Sequence, residues 1–235
     1  MMENQPNTSI EPPVIRRVLI MTAVEAEREA VLRGLHAARP SASAPEFTVR
    51  LAGVGPAMAA ASTAAELAAG AYDLVISAGI GGGFAERAPV GSVVIASELI
   101  AADLGAETPD GFTGVEELGF GSARIEAETV LAGRLLKGLQ AAGMAVCRGP
   151  VLTLSTVTGT AATAARLAAR IPGAAAEAME GFGVAVAARR LNLPVLELRT
   201  ISNLVGPRQR ELWKIGDALQ ALEAACSYLP EVLHS

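Results

Sequence analysis

The chain has 235 residues, 51% of them hydrophobic and 18% charged, with a net charge of -5, enough apolar material for one large buried core. No Lys/Arg block reaches the density that a phosphate backbone or an anionic bilayer rewards, and the longest weakly apolar stretch, Ala52 to Tyr72, is interrupted by Gly53, Gly55, Pro56 and Glu66, so neither nucleic acid nor membrane is an expected partner. Cys147, Cys226, His36 and His234 are the only residues of their types, which points to free thiols in a reducing cytosol, argues against a zinc site or His-based triad, and leaves acid–base chemistry to carboxylates.

Residues 1–13 are polar and Pro-containing and read as a frayed, disordered tail without a secretory pattern, ahead of a folded domain over 14–233. Val14 to Thr22 predicts a strand feeding a helix that opens on Glu25, Glu27 and Glu29, acids that suit a helix N-terminus. Phe47 to Ala52 predicts a second strand, and Ala57 to Ala69 a helix closed by Gly70. Asp73 to Ala78 is a buried-strand run that ends in Gly79-Ile80-Gly81-Gly82-Gly83, read as a strand-end loop, and Val90 to Ile100 is another β-rich segment. Asp103 to Gly121 has no convincing period and is the best candidate for a long functional loop. Ala127 to Ala142 is helical in composition, Val151 to Val157 β-rich, Thr160 to Arg170 helical, and Glu180 to Leu191 helical again. Pro194 to Ile201 predicts a strand, Asn203 to Arg210 a loop, and Glu211 to Tyr228 a last helix. Strands alternating with helices, several apolar on both faces, predict a single α/β domain: a central, mostly parallel or mixed sheet sandwiched by helices, with ligands at the strand C-terminal ends.

Three features bear on chemistry. The glycine run lacks the dinucleotide fingerprint, because Phe84 stands where a third glycine is needed, yet backbone without Cβ atoms can approach a sugar or phosphate closely. A tight turn is the competing reading. Glu180 is a charge set just before the apolar helix stretch Val184 to Ala188, and a charge there needs a partner. Asn203 follows a buried strand where such sheets present ligand groups, although Asn also forms simple turns.

Taken together, Ile20 to Glu27, Gly79 to Gly82, Ala178-Met179-Glu180 and Ile201-Ser202-Asn203 resemble the purine nucleosidases related to methylthioadenosine nucleosidase, over about Val14 to Leu233. Ala102 to Pro109, Leu154 to Thr160 and Ile201 to Arg208 are most similar to the futalosine hydrolases within that nucleoside phosphorylase-like superfamily. The resemblance implies hydrolysis of a purine nucleoside with release of hypoxanthine, a place in menaquinone biosynthesis, no metal or organic cofactor, and a cytoplasmic homodimer or larger homo-oligomer. It implies a water-activating role for Glu27, ribose binding by Glu180 with Met179 lining the sugar, base binding by the backbone of Val157 and Thr158, and substrate contact at Ile80 and Gly81. Asn203 stands where the methylthioadenosine enzymes carry a purine-contacting aspartate, and Ile80 where they carry Ser or Thr, so their substrate is not the expected one. Arg208, Arg210 or Lys214 could meet a substrate carboxylate.

Overall fold

The computed structural model describes residues 14–38 and 44–234; the tail expected over 1–13 lies outside them. The chain begins with β1 (Arg17–Thr22), whose residues Val18 to Met21 are buried on both faces, as a central parallel strand requires. The first helix, α1 (Glu25–Ala37), returns the chain to β2 (Glu46–Leu51), and α2 (Pro56–Ala69) starts from Gly55 at φ +91, with Pro56 preset for the first turn. Then come β3 (Leu74–Gly83), β4 (Val93–Ala101), the hairpin β5 (Gly105–Thr108) and β6 (Gly111–Gly114), and β7 (Arg124–Glu126).

The second half runs through α3 (Thr129–Ala141), β8 (Val146–Thr153), α4 (Ala161–Arg170), β9 (Ala176–Ala178), α5 (Gly181–Arg190) and β10 (Val195–Leu204), and ends in α6 (Ile215–Cys226) and α7 (Leu229–Val232). Glu128 caps α3 by accepting from Val130 and Leu131 N–H, and Thr160 caps α4 by accepting from Thr163 N–H.

The sheet is mixed, as expected, and also closes on itself. β3 pairs with β10 in parallel, β10 with β4 antiparallel, β4 with β8 and β8 with β9 in parallel, and β9 returns to β3 antiparallel. β1 and β2 extend this ring from β3 as a parallel flap. One apolar layer joins the sheet to α1, α3, α6 and α7 through Val31, Leu135 and Leu222; a second joins it to α2 and α5 through Ala59 and Val184. The helix pairs approach closely at glycines: a Cβ on Gly183 of α5 would lie 2.1 Å from Pro56 O, and one on Gly34 of α1 2.2 Å from Glu223 O.

Several expectations are corrected. The glycine run is the second half of β3 rather than a loop, held as strand by its pairing with β9 and β10. The strand expected over Val151 to Val157 lies at Val146–Thr153, and Leu154 to Thr160 forms the loop before α4. The long loop contains the β5–β6 hairpin, whose Thr108-Pro109-Asp110-Gly111 turn has Gly111 at φ +123. Asn203 belongs to β10, not to a loop, and the last long helix begins at Ile215 after a 3-10 turn at Arg210–Leu212.

Candidate active site

The acids that open α1 part company. Glu25 pairs on the surface with Arg28 at 2.7 Å, while Glu27 turns inward and is 4% exposed. Its Oε2 accepts from Ala23 N–H at 2.9 Å and Val24 N–H at 3.3 Å, and its Oε1 accepts from Ile80 N–H at 2.9 Å. The carboxylate is thereby fixed across the C-terminal ends of β1 and β3. Space for it exists because residue 79 has no side chain: a Cβ there would lie 2.5 Å from Glu27 Oε1 and 2.7 Å from Arg199 Nη1.

Glu180 sits at the junction of β9 and α5, also buried. Gly55 N–H approaches its Oε1 and Met179 N–H its Oε2, both at 3.3 Å. The partner that this charge needs is Arg199 of β10, whose Nη1 lies 3.5 Å from Glu180 Oε2. Arg199 is itself 1% exposed; its Nε donates to Glu197 Oε1 at 2.8 Å and its Nη2 to Ser77 Oγ at 2.9 Å. One guanidinium thus faces the carboxyls of Glu27, Glu180 and Glu197. Burial raises the proton affinity of Glu27; Arg199 and the Ile80 N–H pull it back, and Glu180 pushes it up again. For Arg199 burial works against the charge, but Glu197, Glu180 and Glu27 outweigh it and hold the guanidinium charged.

Of the other expected residues, Gly81 and Asn203 share the β3–β10 strand end, whereas Val157 and Thr158 line a separate cleft that includes neither Glu27 nor Glu180. A bulge in β10 at Ser202 brings Asn203 opposite Gly82. Asn203 Nδ2 donates to Leu204 O at 3.1 Å, and Oδ1 accepts from Ser202 Oγ at 2.8 Å; both ends of the amide keep capacity for one more bond. The Gly81 carbonyl lies 3.2 Å from the same Ser202 hydroxyl, whose one proton can serve only one of these two acceptors fully. Val157 and Thr158 lie in the loop after β8 and line a cleft of about 900 Å³ between that loop, the β5–β6 hairpin and α4. Thr158 N–H donates to Glu177 Oε1 at 2.8 Å, and its hydroxyl bonds Oε2, so this N–H, one of the groups expected to meet the base, is already engaged. Glu177 in turn pairs with Gly82 across β9 and β3, which ties the cleft loop to the glycine strand. Burial raises the proton affinity of Glu177, against the two Thr158 bonds.

Arg208 is bound to the same loop through its backbone, donating to Gly159 O at 3.2 Å, but its guanidinium stands over Trp213 at 5.5 Å and is exposed. Arg210 shares that ring at 5.9 Å. Neither is brought to Glu27 or Glu180. The residues that sequence reasoning missed are Arg199, Glu197 and Ser77. The signal was present: Glu197 and Arg199 are two charges at strand period inside the apolar run Val195 to Ile201, and so point to one face.

The model of the Phosphorylase superfamily matches residues 16–234. The futalosine hydrolase of Streptomyces coelicolor is 54% identical to this chain over 232 residues, 93% of this chain and 97% of that one. The native structure of a futalosine hydrolase of Helicobacter pylori superposes with a TM-score of 0.75 at 16% identity, covering 93% of this chain and 97% of that one. A 5'-methylthioadenosine/S-adenosylhomocysteine nucleosidase of Neisseria meningitidis in complex with methylthio-immucillin-A gives 0.75 at 19% identity, covering 93% and 98%.

Proposed function

The chain belongs to the phosphorylase superfamily and, within it, to the futalosine hydrolases, and from that membership we propose that it hydrolyses the N-glycosidic bond of futalosine, in menaquinone biosynthesis. Water adds to the anomeric carbon, the bond from that carbon to the purine breaks, and hypoxanthine leaves dehypoxanthinyl futalosine behind. Such a bond opens with positive charge growing on the sugar and negative charge on the base.

The observation that carries the reading is the pair of buried carboxylates, Glu27 and Glu180, held at the strand ends and both facing one guanidinium. Glu27 accepts the proton that the attacking water gives up. Glu180 accepts hydrogen bonds from the ribose hydroxyls and offsets the charge on the sugar, with Met179 against the ring. The strand backbone at Ile80 and Gly81 and the loop at Val157 and Thr158 flank sugar and base, and Asn203 reads the base. Asn has no proton to give, so solvent supplies the one that the departing purine takes.

A phosphorolytic reaction would need cations free to hold phosphate. Arg199 is enclosed by three carboxyls, and the β3 end from Ser77 to Phe84 has no basic residue, so water is the better acceptor of the sugar. The test is purified protein with futalosine in phosphate-free buffer, followed for hypoxanthine. Release that requires phosphate, or no release, would refute the reading.

Val24, Val54 and Met58, each between 43% and 57% exposed, border the segments that hold Glu27 and Glu180. An apolar rim of this kind is what a second copy would cover, which supports a homo-oligomer; the free thiols Cys147 and Cys226 support a reducing compartment such as the cytoplasm. Sedimentation of the purified protein tests the assembly.

A further inference from the structure

The reaction just described leaves one wholly buried acid without a task. Glu197 lies on β10 two residues before Arg199 and is 0% exposed. Its Oε1 accepts from Arg199 Nε at 2.8 Å, but its Oε2 meets no hydrogen-bond partner among the described residues. The carboxyl is pressed against the start of α5, where a Cβ on Gly181 would lie 2.2 Å from Oε2. A half-satisfied carboxylate in a dry interior is expensive, and an apolar residue would serve packing better. Some other demand keeps it there.

The geometry of Arg199 shows what that demand is. A guanidinium is a rigid planar fork. Glu197 holds Nε, and Ser77 holds Nη2 at 2.9 Å. With two corners fixed, the third is fixed as well: Nη1 points to Glu180, 3.5 Å away, and to the place above Gly79 that it shares with Glu27 Oε1.

We propose that Glu197 is a positioning residue for the hydrolysis, which together with Ser77 locks the plane of Arg199 so that Nη1 faces the two carboxylates that meet substrate and water. The inference rests on Glu27 as the water-activating base. Glu197 also takes a share of the guanidinium charge. Glu27 faces Arg199 and Glu180; Glu197 faces the same two groups. If Glu197 loses its charge, Arg199 bears more fully on Glu27, which then protonates at lower pH and becomes a weaker base.

The experiment is kcat and KM for futalosine across pH in Glu197→Gln and Glu197→Met, with Glu27→Gln beside them. Gln keeps an acceptor for Nε without the charge: kcat should fall about tenfold with KM held within about threefold, and the acid limb of kcat/KM should move to lower pH. Met has similar bulk and neither property, so the plane is released as well and kcat should fall about a hundredfold. Wild-type kcat and an unmoved acid limb in the Gln variant would overturn the proposal, as would a loss confined to KM. A Glu197→Gln chain that does not fold assigns the residue to folding and overturns it equally. Near-normal turnover in Glu27→Gln would remove the base on which the inference stands; an inactive Glu27→Gln beside a wild-type-like Glu197→Gln would remove Glu197 alone.

Discussion

Glu27 can work as a base only when ionised, and burial opposes ionisation; three backbone N–H groups and the Arg199 charge offset that only in part, so its proton affinity stays raised. Glu27→Gln keeps the shape but cannot take a proton, and its NH2 group would face N–H donors. Turnover of futalosine should fall about a thousandfold, while equilibrium binding of the nucleoside stays within a few-fold of wild type. Asn203 presents a donor and an acceptor together, each with one bond still to make. That matches a 6-oxopurine, whose oxygen accepts and whose protonated ring nitrogen donates. An aspartate offers no donor when ionised and suits a 6-aminopurine instead. In Asn203→Asp the ratio of adenine to hypoxanthine release from paired nucleosides should rise by about ten to a hundredfold, the worth of one matched polar contact of about 1–3 kcal/mol. An unchanged ratio would take Asn203 out of base selection.

At the level of elements, the glycine half of β3 does the most to shape the site. Gly79→Ala puts a methyl into the Glu27 and Arg199 groups; kcat should fall about a hundredfold and unfolding free energy by about 1–3 kcal/mol, read by assay and denaturant titration. Gly133, inside α3 with open space around it, is the contrast: Gly133→Ala should stabilise by about 0.5–1 kcal/mol with activity unchanged. The same glycines explain how far the sequence could be read. Five residues with four glycines look like a loop because glycine weakens strands. Here close approach decides, since a Cβ on Gly81 would lie 2.8 Å from Glu177 O and one on Gly83 2.1 Å from Ala88 O. β9 is three residues long, too short for any period to show. Glu27, Glu180 and Asn203 stood out as candidates because motifs carry them at helix starts and strand ends. Arg199 and Glu197 belong to no quoted motif, and only their alternation within an apolar strand marks them. The hairpin closed by Pro109-Asp110-Gly111 was missed, because its two strands are only four residues each and too short for a period to show within the stretch read as a loop.

Across the whole molecule, the buried acids set how stability varies with pH. Glu27, Glu177 and Glu197 each hold their proton more tightly in the fold than an ordinary glutamate, chiefly through burial. The stabilisation that follows is complete below the unfolded value of about 4.3 and is lost as pH rises through the higher folded values. The denaturant midpoint should therefore be higher at about pH 5 than at pH 7.5, and a flat or inverted profile would contradict the burial assigned to these acids. The closed ring of strands has a further consequence, for synthesis. β3 is finished at Gly83, but its lateral partner β10 starts only at Val195. While a ribosome is still making the stretch between them, β3 carries an open edge, and Glu27 and then Glu180 exist without the one cation that reconciles them. A nascent chain halted before Val195 should be digested readily by protease, and one halted after α6 has emerged should resist, because the step that shuts the ring is also the step that brings Arg199 between the acids.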